Sequence, residues 1–229
     1  MKKKTKITGP IFIGRSWMEY LKMFDLDLKN LKNQKILDCA AGASSFTSYM
    51  HKQDFEVTAV DLIYDKSPEF LQLQCQKHLQ ALVDALEKMK QEFIWSFFNN
   101  LDELKKHRKK SCQDFYLDYK IGKGERYLKG DLTDLPFPDN SFDLVLCAHL
   151  LFIYDHRLSE EFHQKAVEEM MRVTRKELRL YPLVKHKGIK STMVEKVTNS
   201  LSDNYKSKLV KVDYQFRPGG NQMLVISKT

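Results

Sequence analysis

The chain has 229 residues, of which 42% are hydrophobic and 30% charged, and its formal net charge is +8. This length suits one α/β domain with an elaboration, and no run approaches the roughly 18 apolar residues of a membrane span, so no membrane partner is expected. The basic start, Met1-Lys2-Lys3-Lys4-Thr5-Lys6, is not followed by the apolar stretch of a secretory signal. Cys39, Cys75, Cys112 and Cys147 are scattered with no C-x-x-C pair, so their spacing suggests neither a disulfide framework nor a zinc site. The histidines show no H-x-x-x-H spacing, and no metal is expected. Cytoplasm is the expected compartment. The basic charge permits nucleic acid or an anionic substrate. However, four of the lysines fall in residues 1–6, and those around Lys105 to Lys110 read as a solvated helical face.

In chain order, Ser16 can cap a helix carrying Trp17, Tyr20, Leu21 and Phe24 on one face. Lys35 to Cys39 is an apolar strand, followed by the small-residue loop Ala40-Ala41-Gly42-Ala43-Ser44 and a helix to about Lys52. Such a strand–turn–helix unit turns backbone N–H groups toward a bound cofactor. Phe55 to Val60 is a second strand ending in Asp61, about the spacing at which a Rossmann-type fold presents a carboxylate to a ribose. Ser67-Pro68 starts a long amphipathic helix through Leu79, Leu82, Leu86, Met89, Phe93 and Phe97, and Asn99-Asn100 breaks it. A second helical piece follows through Leu101, Leu104 and Lys110, with an aromatic patch at Phe115, Tyr116, Leu117 and Tyr119. A crossover between parallel strands needs one ordinary helix. Residues 66–124 therefore read as a helical insertion, and such insertions leave from the sheet edge where ligands bind. A lid over the site and a dimerisation hairpin are the two readings.

Glu125 to Lys129 is a short third strand, Gly130 to Ser141 a turn-rich loop, and Phe142 to Cys147 a fourth strand apolar enough to be buried on both faces. Ser159 starts a helix with Phe162, Ala166, Met170 and Val173 on its inner face. Leu178 to Leu183 is strand five and Ile189 to Leu201 a helix. Lys208 to Phe216 and Gln222 to Ser227 read as strands joined by the Pro218-Gly219-Gly220 turn. The expected fold is α/β: a Rossmann-like, seven-stranded, mostly parallel sheet with one antiparallel strand and helices on both faces. The whole of 1–229 reads as one domain, with 66–124 as the inserted helical subdomain.

Five pieces in order carry a resemblance to the class I S-adenosylmethionine-dependent methyltransferases of the type 11-like group. They are Leu37-Asp38-x-Ala40-x-Gly42-x-Ser44, Val60-Asp61, Gly130-Asp131-Leu132 with Leu135-Pro136-Phe137, Phe142-Asp143-Leu144-Val145, and Glu169-Met170-x-Arg172-Val173. Ala40 and Ser44 stand where that family usually has glycines. The resemblance implies S-adenosylmethionine as cofactor. It places Asp38 and the loop of Ala40, Gly42, Ala43 and Ser44 beside its methionine part, Asp61 on its ribose hydroxyls, and Leu62, Asp131 and Leu132 around its adenine. Cys147 and Ala148 would floor the sulfonium. Arg15 and Tyr20 are candidates for a carboxylate. His149, at the end of strand four, is a candidate general base, and Tyr154, Tyr181 and Asn221 are candidate substrate-side groups.

The resulting expectation is methyl transfer to a small molecule enclosed by the helical insertion. A nucleic-acid methyltransferase is permitted by the charge but not favoured, because no aromatic-plus-basic RNA module is present. A nicotinamide-dependent oxidoreductase lacks its G-x-G-x-x-G. A non-catalytic cofactor-binding scaffold or homodimer built on the long helices is the remaining alternative.

Overall fold

The computed structural model describes residues 10–229; the basic run at 1–6 lies outside them. Seven strands form one sheet: β1 (Lys35–Cys39), β2 (Glu56–Asp61), β3 (Tyr127–Lys129), β4 (Phe142–Ala148), β5 (Thr174–Tyr181), β6 (Tyr205–Lys211) and β7 (Gln222–Lys228). Their order is β3-β2-β1-β4-β5-β7-β6. Neighbours run parallel except at β7, which is antiparallel to both β5 and β6. The strand order turns back between β1 and β4, and in open α/β sheets ligands bind outside the carboxyl ends of the strands at that point.

Alternate strand residues enter two layers, as the pleat requires. Leu37, Val145 and Leu178 pack under α5 (Glu160–Val173) and α6 (Met193–Ser200). Ile36, Val57 and Leu144 pack under α1 (Trp17–Met23) and α2 (Phe46–Lys52). The continuous burial of β4 matches its unbroken apolar run. Ser16 and Glu19 form a reciprocal capping box at the start of α1.

The insertion comprises α3 (Pro68–Lys88), with the Ser67 hydroxyl accepting from the Phe70 N–H and proline at the first position, and α4 (Leu101–Gly122). Three sequence expectations shift here. The first helix stops at Lys88 rather than reaching Phe97, because Phe93, Trp95 and Phe97 leave the helical stripe to pack on Phe216 and Tyr214. The aromatic patch at 115–119 lies within α4, where Phe115 and Tyr119 bury against Tyr64 and Tyr127. The last two strands are joined by a longer passage, 212–221, which folds over the carboxyl edge of the sheet instead of making a short turn.

A fourth correction concerns the cysteines. Cys75 of α3 and Cys112 of α4, 37 residues apart, are joined by a disulfide with their Cα atoms 6.3 Å apart, because packing the two helices as a hairpin brings distant positions together. Cys39 and Cys147 remain free and buried. Closing a loop of 37 residues restricts the unfolded chain, an effect worth about 3–4 kcal/mol in the chain-entropy view. Cys75→Ser is expected to lower the urea midpoint measured without reductant, and to leave unchanged the midpoint measured with reductant. Equal midpoints under both conditions would remove the disulfide from the account.

Candidate active site

A cavity of about 440 Å³ opens at the carboxyl ends of β1, β2 and β4. Its size lies within the range of small-molecule sites. Two halves of different chemistry meet in it.

The first half is built by loops of the sheet. After β1 the chain turns at Ala40 and Gly42, both left-handed at φ 52° and 59°. Glycine adopts this without cost, and alanine is small enough to be held there by its surroundings. The Tyr64 hydroxyl donates to the Gly42 carbonyl at 2.6 Å and fixes the turn. Asp61 accepts from the Gly42 N–H at 3.0 Å and the Ile63 N–H at 3.3 Å, and faces the cavity beside Leu62, a leucine left 57% exposed. Burial lifts the Asp61 carboxyl above the ordinary range, while the N–H groups of Gly42, Ile63 and Leu62 pull it back down.

Asp38 lies behind this loop, fully buried. One oxygen accepts from the Tyr20 hydroxyl at 3.1 Å and the other, Oδ2, has no partner among the described residues. Burial pushes its carboxyl well up; the Tyr20 hydrogen bond opposes this and the neighbouring Asp61 charge adds to it.

Across the rim, Asp131 and Leu132 border the cavity, with one Asp131 oxygen accepting from the Thr133 N–H at 2.9 Å and the Thr133 hydroxyl at 2.8 Å. The whole loop from 130 is anchored from α5. Glu169 accepts from the Leu135 N–H at 2.6 Å, and Arg172 donates to the Phe137 carbonyl at 2.8 Å while bonding Glu169.

The second half is apolar and roofed. Leu82 and Leu86 of α3, Phe93, Leu104 of α4, Tyr154 and Phe216 line it. The roof joins two segments far apart in sequence: the Ile94 N–H donates to the Phe216 carbonyl at 2.9 Å. The Tyr181 hydroxyl donates to the Gly220 carbonyl, so that residue offers the cavity only its ring. The Tyr154 hydroxyl accepts from the Ile11 N–H at 2.9 Å, which straps the N-terminal segment over the site.

A polar seam runs between the halves. Glu19 and Arg108 form an ion pair with side chains 0% and 2% exposed. Arg108 Nη2 donates to Glu19 Oε1 at 2.7 Å, Nη1 donates to Oε2 and, at 3.1 Å, to the Gly14 carbonyl. The Tyr214 hydroxyl donates to Glu19 Oε1 at 2.6 Å. Burial alone would raise the Glu19 carboxyl, but the Arg108 charge and hydrogen bonds, helped by Arg15, hold it down to about 2. Arg108 can reach this far because Gly14 has no side chain. A Cβ there would meet Ser111 Cβ at 2.6 Å and the Ala43 carbonyl at 2.8 Å.

Arg15 Nε donates to His149 Nδ1 at 3.2 Å, and both line the cavity. His149 itself is left-handed at φ 57°, with its N–H bonded to the Tyr181 carbonyl at 2.7 Å. Burial, then the charges of Arg15, Arg108 and Arg217, push its imidazole well below the ordinary value, so it is neutral. With Nδ1 accepting from arginine, the ring proton belongs on Nε2. His149 therefore presents a hydrogen-bond donor.

Of the residues singled out in the sequence, the structure brings Arg15, Tyr20, Ala40, Gly42, Asp61 and Leu62 to the cavity wall. Asp131, Leu132, Ala148, His149, Tyr154 and Tyr181 also line it. Five do not. Cys147 is buried in the layer beneath α5, so Ala148 alone of that pair borders the cavity. Ala43 faces the α4 side of the core, and the Ser44 hydroxyl is engaged in accepting from the Phe46 N–H at 3.0 Å. Asp38 stands behind the wall. Asn221 is passed over in favour of Gly220 and Arg217, because the 212–221 passage turns its other side inward.

The residues that sequence reasoning missed are Glu19, Arg108, Tyr214, Phe216 and Arg217. Arg108 had a readable signal. It falls on the buried stripe Leu101, Leu104, Cys112, Phe115 and Tyr119, where a charge demands a partner, and it is not part of the solvated face expected for Lys105 to Lys110.

The sheet order with its single reversed strand, the acid after β2 and the cavity at the strand-order reversal define a class I methyltransferase architecture. A family model for the methyltransferase domain matches residues 100–181. An uncharacterised protein of Methanocaldococcus jannaschii is 34% identical over 219 residues, which is 95% of this chain and 96% of that protein. The chain therefore carries the match to a methyltransferase domain, and it shares its family with that archaeal protein. Solved structures align with lower identity. A protein of Pyrococcus horikoshii is 12% identical with TM-score 0.49, over 93% of this chain and 91% of its own. A TehB-like S-adenosylmethionine-dependent methyltransferase of Corynebacterium glutamicum is 14% identical with TM-score 0.48, over 93% and 88%. TrmN of Thermus thermophilus is 13% identical with TM-score 0.48; the alignment covers 93% of this chain but about half, 48%, of TrmN. No helix among the described residues is long and apolar enough to cross a membrane.

Proposed function

We propose that this methyltransferase acts on a small molecule held beneath the α3–α4 insertion, which serves as a lid. The observation that carries the reading is the continuity of the cavity. One volume of about 440 Å³ joins the sheet-loop half to the roofed apolar half, so donor and acceptor share a single enclosed space. A large nucleic acid has no comparable route under a roof stitched from 94 to 216.

The residues present fit S-adenosylmethionine. Behind the wall, the unpartnered Asp38 Oδ2 is a buried acceptor on the side where its ammonium would lie. The free lone pairs of Asp61 suit the two ribose hydroxyls. Leu62 gives an apolar surface for adenine, and Asp131 an acceptor for its amino group. Arg15 would take the carboxylate, since the Tyr20 hydroxyl proton is already given to Asp38. When bound, this cofactor supplies an electrophilic methyl group on a sulfonium. The protein's own contribution is orientation and exclusion of water. His149, neutral and protonated on Nε2, would donate a hydrogen bond to the acceptor and hold it in line rather than remove its proton. A cytoplasmic setting is part of the same proposal.

Calorimetric titration of the purified chain with S-adenosylhomocysteine tests the reading. One-site saturation is expected, with retarded tryptic cleavage of the 89–100 segment in the loaded protein. Absence of binding would overturn it.

A further inference from the structure

The roofed half contains a cation with no direct partner among the described residues, its one carboxylate influence being the more distant charge of Glu92. Arg217 lines the cavity with its guanidinium carbon 5.3 Å from the centre of the Phe93 ring, and Phe93 in turn stacks on Phe216 with ring centres 4.8 Å apart. Among the described residues it donates no side-chain hydrogen bond, and no carboxylate lies within 4.0 Å of it. The other two guanidiniums of the cavity are accounted for differently. Arg108 is neutralised by Glu19, and Arg15 sits against His149 at the seam, where the proposed cofactor's carboxylate would meet it. Arg217 lies close enough to the centre for its charge to be felt at His149.

A half-buried guanidinium among leucine and phenylalanine is costly unless something compensates it. The aromatic face of Phe93 and the more distant Glu92 charge supply part of that compensation, but among the described residues the guanidinium donates to no acceptor. Planar guanidinium is suited to a two-point bond with a carboxylate or phosphate. The walls around it, Leu82, Leu86, Phe93 and Phe216, suit an apolar body. We infer that the methyl acceptor is an apolar molecule bearing one oxyanion, carboxylate or phosphate, and that Arg217 is the specificity-determining residue that receives it. This rests on the methyltransferase reading of the same cavity. It assigns the oxyanion as a handle at the roof and leaves the methylated atom at the seam, near His149.

The test uses protein saturated with S-adenosylhomocysteine and matched probes: 2-naphthoate against 2-naphthamide, decanoate against decanamide, and 1-naphthyl phosphate against 1-naphthol. Affinity for S-adenosylhomocysteine is measured first in wild type and in Arg217→Gln. Failure of wild type to bind it refutes the methyltransferase reading and not merely the oxyanion handle. With both proteins loaded, at least one acid or phosphate is expected to bind wild type at least tenfold more tightly than its neutral match. Arg217→Gln should erase that preference, and Arg217→Lys should keep part of it. A carboxylate preference with no phosphate binding, or the reverse, identifies which oxyanion the site takes. Neutral probes binding as tightly as acids, an undiminished preference in Arg217→Gln, or no binding by any acid or phosphate would each overturn the inference.

Discussion

Glu19→Gln is expected to destabilise the protein by about 3–5 kcal/mol, the usual cost of leaving one member of a buried ion pair without its partner. For a chain of this size that corresponds to roughly 10 °C in Tm. The glutamine would keep the shape of the site and one acceptor, but Arg108 would then hold a full charge at a position with almost no solvent contact. The pair also joins α1 to α4 across the seam of the cavity, so the loss should appear as well in faster hydrogen exchange around residues 104–112. Replacing both partners, Glu19→Met with Arg108→Met, removes the uncompensated charge and is expected to cost less than either single change. A double variant less stable than both singles would show that the pair contributes by attraction rather than by mutual neutralisation.

Acid should act on the same carboxylate. The folded Glu19 carboxyl is held down to about 2, below its unfolded value of 4.5. Its contribution is therefore complete above about pH 4.5 and is lost as pH falls toward 2. In Glu19→Gln this part of the acid sensitivity should be absent.

The second large effect is on cofactor affinity. Asp61→Ala is expected to weaken S-adenosylhomocysteine binding by about 100-fold, since two hydrogen bonds to a charged acceptor are worth roughly 1.5–3 kcal/mol each and part of that is recovered by water. Asp61→Asn keeps one acceptor oxygen and should fall between, near tenfold. Asp61 also receives the N–H groups of Gly42 and Ile63, so Tm is measured beside the titration. An Asp61→Ala protein that is folded and binds with undiminished affinity would remove the ribose role proposed for this residue.

How much of this was legible beforehand depended on range. Capping, periodicity and apolar runs act within a few residues, and Ser16, Ser67 and the buried run of β4 were readable for that reason. The mostly parallel sheet with one reversed strand followed from the alternation of strands and helices, and the five motifs in sequence supported it. Asp61, at the end of β2, was readable as a cavity-facing acid because its chemistry and its backbone position coincide, whereas Asp38 lies within β1 and behind the wall. The roof was not. Phe216 meets Phe93 over 123 positions of chain, and nothing local in Phe216-Arg217-Pro218 distinguishes a cavity wall from a surface turn. Cys75 and Cys112 were likewise opaque, because their pairing is a property of how two helices pack and not of any spacing rule. Cys147 was misplaced for a simpler reason. In an extended strand consecutive side chains face opposite ways, so Cys147 and Ala148 could not both floor one site.

The bond between Cys75 and Cys112 also limits how the cavity can be entered. The two helices above it are fastened near the middle of α4 and in the first half of α3, so they cannot part like the blades of scissors to admit a ligand. Entry and exit must instead swing the hairpin as one lever about its roots near residues 62–67 and 123–126, or lift the 89–98 passage away from 212–221 at its far end. The second route breaks the Ile94–Phe216 and Ser96–Gln215 hydrogen bonds, the Arg217–Phe93 contact and the flanking ring contacts, and it leaves the stapled base where it is.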